Sequence, residues 1–298
     1  MDSGVRAGFA FGVLSAVMWA LYFVYARKAA TFGLSASDVV LLRYGVAALV
    51  MLPWVLRAGL RDLAGVGWSR GAVLALCVGP VFLWLAARGF HHAPLSHGAV
   101  IQPSTAVVVA TLIAVAALGE RPSRGQAVGL ALVLAGIGLI GAAGGTMPGA
   151  WRGQILFVAA GAMWAMFTIL LRVWGVPGLA ATAAVNVISA AVVVPVYLVT
   201  SDGSALLGLP ATDLLMMALV HGVLAGVLAI SAYGRAVALL GISRAALFPA
   251  IVPATALVLG IPLAGEWPNR WEWTGAALAT LGLMQAMGAV PGLRRFGL

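Results

Sequence analysis

The chain has 298 residues, 63% of them hydrophobic and 8% charged, with a mean hydropathy of +1.08. Soluble domains average about 45–50% apolar and about 25% charged, so a cytosolic enzyme domain, a disordered chain and a disulfide scaffold are excluded, and the fitting solvent is a bilayer. The net charge of +9 comes from basic residues set singly between apolar runs, which suits membrane topology and anionic headgroups and gives no nucleic-acid patch.

A span needs ~20 apolar residues. In chain order, runs of that kind fall at about 7–30, 38–56, 71–90, 96–118, 125–143, 153–173, 180–200, 212–239, 243–264 and 272–290. They are apolar all round and joined by short connections, which predicts an all-α integral membrane protein with ten transmembrane helices. No small-residue cleavage site follows the first run, so it is expected to remain in the membrane. The lone Cys77 sits in an apolar run and reads as a packing residue. With the N-terminus inside, 11 basic residues, among them Arg57, Arg121 and Arg172, fall on the inner side. Five fall outside: Arg27, Lys28, Arg88, Arg152 and Arg270. That asymmetry predicts both termini in the cytoplasm of a multi-pass protein of the inner (plasma) membrane.

The sequence also repeats itself. Met18-Trp19-Ala20, with Gly8 before and Arg27 after, matches Met163-Trp164-Ala165 with Gly153 and Arg172 at an offset of 145. Gly119-Glu120-Arg121-Pro122 matches Gly265-Glu266-Trp267-Pro268 at an offset of 146, followed by Gly129 and Gly275, then Gly136 and Gly282. Two five-helix copies are expected, 1–148 and 149–298. An odd number of spans per copy turns the second upside down, an arrangement found in alternating-access transporters.

Ten spans in two five-helix halves, a Trp in the first helix of each and a Gly-Glu-x-Pro turn after each fourth helix resemble the drug/metabolite transporter superfamily, EamA-type branch. Within that branch the chain is similar to aromatic amino-acid exporters. The resemblance implies export of small organic solutes from the cytoplasm.

The candidate substrate-binding residues follow from helical spacing. Trp19 and Tyr22 share a face, and Trp164 and Phe167 repeat it in the second half, which predicts an aromatic-walled cavity between inverted copies. Gln102 and Tyr233 are candidate hydrogen-bonding groups, and Phe248 is the counterpart of Gln102. Pro103, Pro249 and Pro253 interrupt helix hydrogen bonding and can free carbonyls. Arg43, inside the second span, and Asn186, its counterpart at an offset of 143, would each suit a substrate carboxylate; snorkelling is the plainer reading of Arg43.

Other features read as structure. Glu120 and Glu266 lie on opposite faces and are expected to accept from free amides of the next helix. Asp38 and Asp213 sit at helix starts as caps, and Asp2, Asp62, Asp202 and Glu272 belong to ends and loops. No buried carboxylate is expected, so facilitated diffusion is favoured, with a proton relay through His91, His92, His97 or His221 as the alternative. Their spacing matches no metal motif, and no cofactor is expected. Gly136, Gly138 and Gly141 spell G-x-G-x-x-G within an apolar helix, where close helix packing replaces dinucleotide binding. Trp151, Trp267, Trp271 and Trp273 read as interfacial anchors. The expected partners are a small-molecule solute and the lipid bilayer, around a monomer or weak dimer. An intramembrane lipid-modifying enzyme is the rival class, but no nucleophile–base cluster stands out, and a channel or scaffold is a third.

Overall fold

The apolar runs become helices in chain order: α1 (Ser3–Thr31), α2 (Ala36–Ala58), α3 (Trp68–Val78), α4 (Pro80–Phe90), α5 (Leu95–Leu118), α6 (Arg124–Ala142), α7 (Trp151–Trp174) and α8 (Gly178–Thr200). After the short α9 (Ser204–Leu207), α10 (Ala211–Ala218) continues through a π-helix (Leu219–Leu228) into α11 (Ala229–Leu240). The chain ends in α12 (Ile242–Ala245), α13 (Leu247–Ala250), α14 (Val252–Ala264) and α15 (Arg270–Ala286). The computed structural model describes residues 3–142, 147–201 and 203–288, and all regular structure among them is helical. Asp2, Asp202, Arg294 and Arg295 lie outside the described residues.

Eight helical units are long and apolar enough to cross a membrane, with Trp68–Phe90 and Ala211–Leu240 each counted as one. The ninth and tenth runs form shorter helices. Pro253 has no N–H to offer the carbonyl of Pro249, four residues earlier, and the ninth run breaks into α12, α13 and a 13-residue α14. α15 has 17 residues. Pro103, by contrast, sits inside an unbroken α5. The third run breaks at Gly79-Pro80, where the Val78 carbonyl accepts from Tyr44 Oη at 2.6 Å.

Helix ends are set by local chemistry. Ser35 caps α2 in a capping box with Asp38, and Asn269 caps α15 in one with Glu272. α5 and α14 both stop at a glycine in the left-handed region, Gly119 and Gly265, each at φ +68°. Only glycine enters that region without a Cβ penalty, and each places a glutamate next in the chain.

The halves are interleaved. α6 and α15 run antiparallel so closely that a Cβ on Gly129 would lie 2.4–2.8 Å from the Ala286 and Gly282 backbones, and one on Gly136 would lie 2.6 Å from the Gly275 carbonyl. Gly8 meets Leu240 across α1 and α11, and Gly153 meets Ala93 beyond the end of α4. Small residues at these crossings let backbones approach, which is how helices associate where lipid offers no hydrophobic drive.

Candidate functional site

A polar centre lies where α1, α2, α5 and the π-helix meet. Arg43 is the eighth residue of α2, about 10 Å along it at 1.5 Å per residue. Its Nη1 donates to the His221 carbonyl at 3.2 Å, and its guanidinium lies 5.8 Å from the Tyr44 ring centre. Asn186 Nδ2 donates to the Gly226 carbonyl at 3.1 Å. The two counterparts therefore both bond the π-helix, five residues apart on it. Glycines admit them: a Cβ on Gly226 would lie 2.3 Å from Arg43 Nη1, and one on Gly222 would lie 2.4 Å from Val46. The π-helix has no signature in apolar spacing; such segments are rare and concentrate at functional sites.

Tyr22 stacks edge-on against His221, ring centres 5.7 Å apart, and lies beside Gln102. Tyr22 Oη, Gln102 Oε1 and both His221 ring nitrogens are buried and make no hydrogen bond of ordinary geometry, although the Tyr25 carbonyl is close to the His221 ring. Arg43 is the charge that acts on Tyr22, Tyr44 and His221, and it has no carboxylate partner among the described residues.

The aromatic candidates fall into two groups. Trp19, partly buried near the middle of α1, lies 5.5 Å from Tyr233. Trp164, partly buried near the middle of α7, lies 5.6 Å from Phe167 and 5.7 Å from Phe82. Phe248 packs elsewhere, edge-on to Phe9 at 5.9 Å and tight on Gly12. Tyr22 and Gln102 belong to the polar centre. Phe82 was not anticipated because its α4 partner surface appears only when α4 crosses α7.

Ion pairs join the halves at both ends of the bundle. Arg27, near the end of α1, pairs with Glu266 and donates to the Phe90 carbonyl at 2.6 Å, while Glu266 accepts from the Leu95 amide at 2.7 Å. The pair lines a cavity of about 280 Å³ with Ser96, Trp267 and Glu272. Arg172, near the end of α7, pairs with Glu120 at 2.6 Å on an exposed surface. This differs from the expected capping of the next helix: Asn269 caps the start of α15 and Ser123 bonds the start of α6, while Glu266 serves the start of α5 and an arginine of the other half. The two pairs are equivalent by the repeat offsets.

Two carboxylates are buried, contrary to expectation: Asp38 at 2% exposure and Glu272 at 4%. Capping boxes draw them inward, and each also accepts from the opposite half, Asp38 from Tyr197 and Glu272 from Ser96 Oγ at 2.5 Å. His97 Nε2 lies 3.9 Å from Glu272, and its Nδ1 lies 3.2 Å from Gln154. Since Ser96 donates to the carboxylate itself, His97 is not placed to activate it as a nucleophile. His91 and His92, in the turn between α4 and α5, have their pKa values lowered. Burial is the main cause for both, followed by the positive charge of Arg88. Of the glycine fingerprint only Gly136 makes a close approach; Gly138 faces open space. Among the described residues no group of three His, Cys, Asp or Glu side chains could hold a metal.

No curated protein sequence matches the chain. One solved crystal structure is similar over 98% of this chain and 99% of its own, with 17% identity and a TM-score of 0.64, a likeness of fold alone. The EamA-like transporter family matches twice, over residues 6–142 and 151–287. A multi-pass helical chain built from two such copies belongs to the EamA-like transporter family.

Proposed function

We propose that the chain is a ten-span carrier of the plasma membrane that exports small amphipathic metabolites, amino acids and especially aromatic ones, by facilitated alternating access. The substrate reading is carried by one observation. The equivalent tryptophans of the two halves, Trp19 and Trp164, are both partly buried mid-helix against a ring from another helix. Planar solutes gain from such walls because aromatic pairing adds ~0.5–1.5 kcal/mol beyond burial. The inverted repeat is supported by contacts that exchange between halves: Gly129 against Gly282 and Gly136 against Gly275, Arg27 with Glu266 and Arg172 with Glu120.

Facilitated transport fits buried acids already committed to helix caps. Proton coupling is the second reading, favoured by the 3.9 Å approach of His97 to Glu272. Uptake of labelled solutes into proteoliposomes tests both. The expected result is flux that follows the gradient of phenylalanine and persists with a protonophore. Uphill movement driven by a pH gradient alone would establish coupling instead, and a panel in which no amino acid moves would remove the substrate reading.

A further inference from the structure

We propose that Arg43, with Tyr22 and Gln102 beside it, binds an anionic group on the transported solute, a carboxylate in the first instance; this rests on the transporter reading above. Arg43 lies well inside a spanning helix, where an unpaired charge is costly and ordinarily marks a solute path or a partner. It has not snorkelled to the surface. Its guanidinium turns across the glycines of the π-helix, where one of its five N–H donors is used, on the His221 carbonyl at 3.2 Å. No ion pair satisfies it among the described residues.

The neighbours carry the same deficit. Tyr22 is 8% exposed, Gln102 6% and His221 0%, and their polar atoms named above lack hydrogen bonds. Counting unfilled positions around the centre, donors predominate: four guanidinium N–H and the Tyr22 hydroxyl, against the Gln102 oxygen and one imidazole nitrogen, while the imidazole N–H faces the Tyr25 carbonyl and the Gln102 amide faces Tyr22. The missing partner is therefore an acceptor, and the charge requires an anion. A carboxylate matches the guanidinium fork with two parallel hydrogen bonds. Trp19 sits one helical turn from Tyr22 on the same face, about 4.5 Å along the axis, so a ring joined to a carboxylate through a short carbon linker reaches both. Asn186, the neutral counterpart, bonds the Gly226 carbonyl. The charged site thus belongs to one level of the bundle only.

The test uses three probes with the same ring: phenylalanine, 3-phenylpropionate, which keeps only the carboxylate, and phenethylamine, which lacks it. In proteoliposomes Arg43→Gln should lower flux of the two carboxylates at least tenfold relative to phenethylamine, and Arg43→Lys should restore part of it. Equal loss of all three in monodisperse protein, or no loss, would overturn the site by making Arg43 a tie between α2 and the π-helix. If the wild type moves none of the probes, the substrate reading fails separately. The site is then judged on purified protein: 3-phenylpropionate should raise Tm in the wild type and not in Arg43→Gln, and the absence of such a shift overturns it.

Discussion

Trp19→Ala and Trp164→Ala isolate what the rings contribute. Each removes a wall worth ~0.5–1.5 kcal/mol per aromatic pair, so phenylalanine flux should fall roughly 2- to 12-fold relative to alanine flux in matched proteoliposomes. An unchanged ratio would make these residues ordinary packing. Their spacing was legible in the sequence because a helix brings residues three apart onto one face. The surroundings of Phe248 were not, since its ring fills the space that Gly12 leaves in a different helix. His91 offers a second residue-level test. Burial first, then the charges of Arg88, His92 and Arg27, lowers its pKa in the folded state. The unfolded chain therefore binds more protons once pH falls through the ordinary histidine range, and stability is lost as pH drops below ~6.5. Tm measured between pH 7.5 and 5 should decline less steeply in His91→Gln than in the wild type. A parallel decline would show that His91 takes no part in it.

Helices were legible as elements in the first eight runs, which form crossing-length units, and paired prolines break the ninth. What could not be read was the interior of those units. The π-helix arises where Arg43 and Asn186 reach carbonyls from neighbouring helices, a tertiary event invisible to periodicity. Buried Asp38 and Glu272 were missed for a related reason. Capping is visible in Ser35-x-x-Asp38 and Asn269-x-x-Glu272, but the opposite half that covers the caps is not. The glycines of α6 give a matched pair for testing element packing. A Cβ on Gly129 would fall 2.4 Å from the Ala286 amide nitrogen, backbone that cannot swing aside, whereas Gly138 has nothing within 4 Å. Gly129→Ala should force α6 from α15 and lower Tm, by the ~1–3 kcal/mol typical of overpacking. Gly138→Ala should be neutral or slightly stabilising through helix propensity. Equal effects would mean that the α6–α15 contact is not a close one.

At the scale of the whole molecule the two repeat-related Arg–Glu pairs between the halves differ in setting. The Arg27–Glu266 pair is held by the Phe90 carbonyl and Leu95 amide in partly buried surroundings, while Arg172–Glu120 is open to its surroundings at the far end of α7. Gly153 and Arg172 lie ~28 Å apart along that helix, and Gly153 meets Ala93 near the Arg27 end. On the alternating-access proposal the halves part at each end in turn, and the better-held pair is expected to mark the end that is closed. Exposed salt bridges contribute ~0–1 kcal/mol, whereas breaking a partly buried one strands its partner and costs more. Glu266→Gln should therefore loosen the Arg27 end, and Glu120→Gln should leave it unchanged. Leu257, 1% exposed beside that cavity, supplies the reporter. In a Cys77→Ala background, Leu257→Cys should resist an impermeant maleimide in intact cells and become reactive when Glu266→Gln is added. A cysteine at exposed Ser204 serves as the orientation control, since the loop between α8 and α10 is expected outside the cell and should label without permeabilisation. Labelling of Ser204→Cys only after permeabilisation would reverse the topology, and Leu257→Cys that stays protected in the Glu266→Gln protein would show that this pair does not hold the end shut.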